Sequence, residues 1–183
     1  MELFNGRPET EDGRLEREIR VYDFLDSLSI SYDRVDHAEE PAATMEICEK
    51  IDKVLGCVMC KNLFLTNRQQ TMFYLLLMPG KKPFKTKELS SQIHSARLSF
   101  ATPEQMLLFL DIEPGAVSLM GLMNDKEGKV RLLVDEDLLT EPYLGCHPCV
   151  NTASIKMKTE DAFGPFLKAV SHEMTPVHLT GEV

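Results

Sequence analysis

Two runs rich in β-branched, aromatic and aliphatic residues, Cys57 to Thr66 and Thr71 to Met78, flank the polar tetrapeptide Asn67-Arg68-Gln69-Gln70. That arrangement predicts a hairpin, around which the rest of the chain has to be arranged. Before it, Leu15, Ile19, Tyr22, Leu25 and Leu28 recur at helical spacing, so an amphipathic helix is expected from about Glu11 to Ser29. A short strand is expected at Ser31 to Val35. A second helix is expected from Thr44, as N-cap, through Met45, Cys48 and Ile51 to Gly56. After the hairpin, a helix is expected over Thr86 to His94 and a strand over Arg97 to Phe100. Thr102-Pro103-Glu104-Gln105 has the spacing of a capping box with proline at the first helical position, and its helix should reach Leu110. Beyond the turn Glu113-Pro114-Gly115, strands are expected at Ala116 to Leu122, Lys129 to Asp135 and Ala153 to Met157. A helix carrying Phe163, Phe166, Leu167 and Val170 inward and an edge strand at Val177 to Leu179 complete the pattern. Strands occurring both in hairpins and between helices predict an α/β fold of α+β type, with a mixed sheet flanked by helices and no doubly wound parallel sheet.

Composition narrows the function classes. With 183 residues, 43% hydrophobic and 27% charged, the chain suits one compact globular domain spanning residues 1–183. A formal charge of -9 argues against a broad basic surface for duplex DNA or an anionic membrane, while leaving room for contact with a few phosphates. The longest apolar stretches fall far short of the roughly 20 residues a membrane helix needs. No basic segment followed by an apolar one stands at the amino terminus, so a cytoplasmic protein with five reduced cysteines is expected.

The pairs Cys57-x-x-Cys60 and Cys146-x-x-Cys149 have a spacing that would suit tetrahedral zinc. Placing Cys57 and Cys60 in a strand would send their thiols to opposite faces, which weighs against a metal site. Neither pair opens a helix that would activate a thiol. A Gly-x-Ser-x-Gly elbow, a His-Glu-x-x-His pair and a phosphate-binding glycine loop are all missing from the sequence. Two quieter features remain. Lys61-Asn62 interrupts an apolar strand, where an ammonium needs solvent, a carboxylate or an anionic ligand. Gly145-Cys146-His147-Pro148-Cys149-Val150-Asn151-Thr152 reads as a loop whose side chains and amides could meet a ligand. Each also has a plain structural reading, as a snorkelling lysine and as a hydrogen-bonded turn.

Taken in order, Thr44 opening a helix, Cys60-Lys61-Asn62-Leu63-Phe64-Leu65, Arg97-Leu98-Ser99-Phe100-Ala101, Pro114-Gly115-Ala116-Val117-Ser118 with Gly121-Leu122-Met123-Asn124-Asp125, and Gly145-x-His147-Pro148-x-x-Asn151-Thr152 form a set. That set resembles the YbaK/ProX family of freestanding aminoacyl-tRNA editing proteins, related to the editing domain inserted in bacterial prolyl-tRNA synthetase. The last motif is similar to the ProX branch.

The resemblance implies a barrel-like mixed sheet and a deacylase that hydrolyses the ester of mischarged proline tRNA, above all alanyl-tRNA(Pro), with no metal or other cofactor. It implies catalytic roles for Lys61 and His147. It implies substrate contacts for Thr44, Asn62, Asn124, Asp125, Gly145, Cys146, Pro148 and Asn151. The implied partners are the 3′ end of the tRNA and prolyl-tRNA synthetase. Because an aminoacyl ester is already activated, such a site need only orient water and stabilise the charge developing on the carbonyl oxygen. The family's use of the substrate's own ribose hydroxyl to activate water fits the lack of a triad. Lys61, with no lone pair when charged, would act as a point charge on the terminal phosphate or ribose. A noncatalytic sensor of an amino acid or aminoacyl-tRNA is the alternative expectation.

Overall fold

The computed structural model describes residues 1–40 and 44–182. Strand β1 (Leu3–Asn5), helix α1 (Glu16–Ser27) and strand β2 (Tyr32–Asp36) lead to helix α2 (Met45–Leu55) and the hairpin of β3 (Cys60–Asn67) and β4 (Phe73–Pro79). Helix α3 (Thr86–Gln92), strand β5 (Leu98–Phe100) and helix α4 (Pro103–Leu110) follow. A 3-10 segment (Leu119–Asn124), strand β6 (Val130–Asp135) and helix α5 (Glu136–Leu139) come next. Strands β7 (Tyr143–Cys146) and β8 (Ala153–Lys158) precede helix α6 (Thr159–Asp161). A π turn (Ala162–Phe166) joins α6 to helix α7 (Leu167–Ala169), and strand β9 (Met174–Val177) follows. No helix among the described residues is long and apolar enough to cross a membrane.

Local chemistry sets the helix ends. Thr44 Oγ1 accepts the Ile47 amide at 3.3 Å, and Gly56, at φ 74°, ends α2 in the left-handed conformation that suits glycine. Thr102 and Gln105 form a reciprocal capping box at α4, with Pro103 in the first turn.

The strands form two sheets, in the order β1-β2-β8-β7 and β5-β3-β4-β6-β9. The first is antiparallel throughout; in the second, β4, β6 and β9 run parallel while β5, β3 and β4 alternate. The architecture is thus the mixed α/β type expected, although the strands close into no barrel among the described residues. Among the described residues one isolated backbone bridge, Met59 to Gly145, links the two sheets, which also share the main core, where Tyr32, Leu144 and Ile155 pack with Phe64, Leu75 and Leu132. Strand β4 explains its own lack of a polar face. Phe73, Leu75 and Leu77 pack with Phe64, Leu132 and Val134 on one side, while Tyr74, Leu76 and Met78 pack with Leu65, Leu89 and Leu133 on the other. Each such fully buried side chain contributes about 1.5–3 kcal/mol.

Several boundaries differ from expectation. Helix α1 starts at Glu16, because Arg14 turns back to bridge Glu18 (2.6 Å) and Asp36 (2.8 Å) instead of extending the helix. The strand expected at Ala116 to Leu122 is instead the 3-10 segment: the Ser118 hydroxyl accepts the Met120 amide at 3.1 Å and caps it. Gly121 within it packs so tightly that a Cβ there would lie 2.6 Å from Ile112 Cδ1. Strand β7 takes up Gly145 and Cys146, which sequence reading assigned to a loop, and Cys57 lies in a bend ahead of β3. The last strand is β9, shifted N-terminally from Val177–Leu179 by its parallel register, Leu132↔Met174 to Asp135↔Val177. Strand β1, which pairs with β2, and helix α5 had no counterpart in the sequence reading.

Candidate active site

Strand β5 covers β3 only at Leu65–Asn67, so the first half of β3 pairs with β4 alone. Next to that half-open start, between α2 and the loop joining β7 to β8, is a cavity of about 200 Å³. Lys61 and His147 both line it, 86 residues apart in sequence, together with Met45, Cys48 and Asp52. A second cavity of about 290 Å³ shares His147 and is bounded by Asn62, Phe64, Phe100, Met106 and Gly115.

Lys61 is half-buried, and its Nζ donates to the Lys82 carbonyl oxygen at 2.6 Å. Burial lowers its pKa, since the charged form loses hydration and gains no carboxylate partner among the described residues. The accepting carbonyl is itself fixed. Lys82 Nζ bonds Asp135 (2.6 Å), Asp137 (2.7 Å) and the Leu179 carbonyl (2.7 Å), tying the turn after β4 to α5 and to the segment beyond β9. Sequence reading missed this clamp, because no local pattern links positions 82, 135 and 179.

His147 is held through its Nδ1. Its Nδ1 lies 3.0 Å from the Ala153 carbonyl, which can only accept, so Nδ1 carries the proton and Nε2 presents a lone pair. Burial lowers the pKa of His147 and keeps the ring neutral near pH 7. The Ser154 hydroxyl sits between this ring and another, 3.4 Å from His147 Nδ1 and 2.9 Å from His37 Nε2; the two ring centroids are 6.3 Å apart. Burial first, and the neighbouring His147 second, push His37 down to about 4. Among the described residues His37 Nδ1 is buried without a partner. Sequence reading passed over His37, more than a hundred residues from His147, and Ser154, which joins the two rings.

Asp52 supplies the cavity with a carboxylate that the sequence did not single out. Its Oδ1 accepts the Met59 amide at 3.1 Å, and burial raises its pKa against the opposing effect of that bond and of Lys81.

The other expected residues divide. Thr44 caps α2, the helix that brings Met45 and Cys48 to the cavity. Asn62 borders the second cavity, but its amide is engaged within the fold, donating to the Cys60 carbonyl (3.1 Å) and accepting the Leu119 amide (3.1 Å). At Gly145 a Cβ would lie 2.9 Å from Met59 Sδ and 3.1 Å from Cys57 Sγ, so this glycine allows the sheets to meet. Pro148 is buried and has no amide hydrogen to offer a substrate. Asn151 lies against the Gly115 turn, with Nδ2 3.6 Å from the position of a Cβ there.

Asn124 and Asp125 stand apart from both cavities. Asn124 donates to the Leu110 carbonyl at 2.7 Å, and Asp125 accepts the Lys129 and Val130 amides and faces His172 Nε2 at 2.8 Å. Asp125 thus shapes the turn into β6, and Asn124 ties the 3-10 segment to the end of α4. All five cysteines are free thiols. Burial pushes Cys57 and Cys146 up to about 12 and also raises Cys60 and Cys149, so these four are protonated at neutral pH. No three His, Cys, Asp or Glu side chains converge as a metal site among the described residues.

Residues 39–163 match the model of the aminoacyl-tRNA editing domain family. Over 137 residues the chain is 33% identical to the prolyl-tRNA editing protein ProX of Acetoanaerobium sticklandii, covering 75% of this chain and 82% of that relative. A Homo sapiens protein named for a prolyl-tRNA synthetase associated domain is 28% identical over 153 residues, covering 81% of this chain and 88% of its own. The fold is similar to a solved structure described as a candidate trans-editing enzyme for prolyl-tRNA synthetase, with TM-score 0.66, 17% identity and coverage of 91% of this chain and 99% of that one. The chain therefore belongs to the aminoacyl-tRNA editing domain family, whose chemistry is hydrolysis of the aminoacyl ester.

Proposed function

We propose that this protein clears mischarged proline tRNA in trans, hydrolysing the ester of alanyl-tRNA(Pro) to alanine and a tRNA with a free 3′-terminal ribose. The observation that carries this reading is that Lys61 and His147 line one cavity of about 200 Å³, large enough for a small amino acid. In it the Lys61 ammonium meets the terminal ribose or phosphate as a point charge. A water molecule donates to His147 Nε2, held by the neutral ring in the right orientation, and attacks the ester carbonyl; the bond to the ribose oxygen breaks and that oxygen is protonated. Asp52 supplies the counter-charge for the α-ammonium of the aminoacyl group. The ribose hydroxyl of the substrate assists the proton transfer. Prolyl-tRNA synthetase is the enzyme whose errors are cleared, since a synthetic site built for proline excludes a smaller apolar side chain by only about 1–3 kcal/mol.

Incubating the protein with alanyl, cysteinyl, seryl and prolyl esters of proline tRNA tests the proposal. Alanine should be released fastest and proline slowest. Release of no ester above the buffer rate overturns the enzyme reading in favour of a sensor that binds and does not hydrolyse. The Lys61→Ala variant should remain folded and lose at least about 100-fold in rate, the scale of a removed electrostatic stabiliser.

A further inference from the structure

Lys61 borders a second surface besides the cavity. A groove of about 450 Å³ extends from Lys61 and Leu63 past Phe84 and Phe100 to Lys85 and Lys87. The Phe100 side chain is 59% exposed and meets Phe84 edge-on, with centroids 6.1 Å apart and planes at 66°. Four of the seven residues from 81 to 87 are lysines in a chain of net charge -9. Lys82 is occupied by Asp135 and Asp137, whereas Lys81, Lys85 and Lys87 are exposed and form no ion pair among the described residues. The one carboxylate of α3, Glu88, accepts the Thr180 and Gly181 amides and so serves the segment beyond β9.

We propose that this groove is the track for the single-stranded 3′ end of the RNA. A base stacks on the open face of Phe100, and Lys85 and Lys87 meet the phosphates of the nucleotides preceding the terminal adenosine, which enters past Lys61. An exposed aromatic face beside unpaired cations is the pairing that single strands require, because stacking accepts any base while lysines follow the backbone. Continuity with the Lys61 cavity gives the strand its direction. The inference rests on the editing reading and deepens it by naming the surface that receives the nucleotides before the ester.

The test uses an uncharged, fluorescently labelled acceptor-stem RNA ending in CCA, titrated by anisotropy at several salt concentrations. Phe100→Ala should weaken binding roughly 5- to 150-fold, the range for loss of one base–aromatic stack, and Phe100→Tyr should restore it. The Lys85→Gln/Lys87→Gln pair should lower the slope of log affinity against log salt by about 1.4, at about 0.7 per phosphate on a single strand. Wild-type affinity and slope in these variants overturns the proposal, as does an absence of RNA binding by the unmodified protein. Equal binding of an acidic peptide with the same dependence on Phe100 also overturns it. Should Phe100→Ala fail to fold, the salt slope of the lysine pair decides alone. Because the RNA carries no ester, the outcomes separate: binding through this groove without hydrolysis ends the editing reading only, and hydrolysis with affinity indifferent to these residues ends the groove only.

Discussion

Replacing His37 by glutamine should change how the protein responds to mild acid. His37 is buried, and its pKa falls from the ordinary 6.5 to about 4 in the fold. In the unfolded chain the ring regains its ordinary value, so below pH 6.5 the unfolded state binds a proton that the folded state refuses. Stability is therefore complete above pH 6.5, falls as the pH drops through that window, and levels off near pH 4. A shift of that size corresponds to about 3 kcal/mol in all, with a slope approaching about 1.4 kcal/mol per pH unit for one histidine between pH 6 and 5. His147, also lowered by burial, adds a second contribution of the same sign. Urea denaturation at half-unit intervals from pH 7.5 to 5 measures the slope, above the range where carboxylates begin to protonate. His37→Gln, which keeps a hydrogen-bonding group near Ser154, should remove one histidine's share. Superimposable pH profiles for variant and wild type would refute the claim that His37 is buried neutral.

Three further outcomes follow from the geometry. The rate of ester hydrolysis should be flat through neutral pH, with an acid limb below 6.5 from His147 and an alkaline limb below 10.5 from Lys61, since burial lowers both; a midpoint at or above either ordinary value contradicts the assignment. Lys82→Met strands the buried Asp135 carboxylate and should cost about 3 kcal/mol in urea denaturation, with Asp135→Asn in the same chain recovering a large part of it. Gly121→Ala forces a methyl group to within 2.6 Å of Ile112 Cδ1 and 3.1 Å of Leu110 Cβ, an overpacking worth about 1–3 kcal/mol that a thermal melt would detect.

The features that sequence reading captured are those decided locally. The hairpin of β3 and β4 announces itself by composition, and the caps at Thr44 and Thr102 need only the three residues that follow. Lys61 stood out because an ammonium in an apolar strand needs a reason. What escaped was decided at a distance. Strand β7 is four residues long and holds its place by pairing with β8 and by the Met59 bridge, so its sequence carries little periodic signal. The 3-10 segment at Leu119–Asn124 has the apolar content of a strand, and its conformation is set by the Ser118 cap and the tight fit of Gly121. Around the site, Lys82, Ser154 and His37 acquire meaning only once β2, β8 and the turn after β4 are brought beside one another. Asn124 and Asp125, singled out within a motif, also make bonds that no local pattern shows, to the end of α4 and to the turn into β6.

The bond from Lys82 Nζ to the Leu179 carbonyl has a bearing on synthesis. A ribosome will have released Lys61, α2 and the β7–β8 loop while the latch for the neighbouring turn is still inside its exit tunnel. Until the stretch around Leu179 emerges and docks, the ammonium's carbonyl partner is only loosely placed. Competence for hydrolysis should consequently wait for that docking, and a nascent chain halted before it should be folded in large part yet slow.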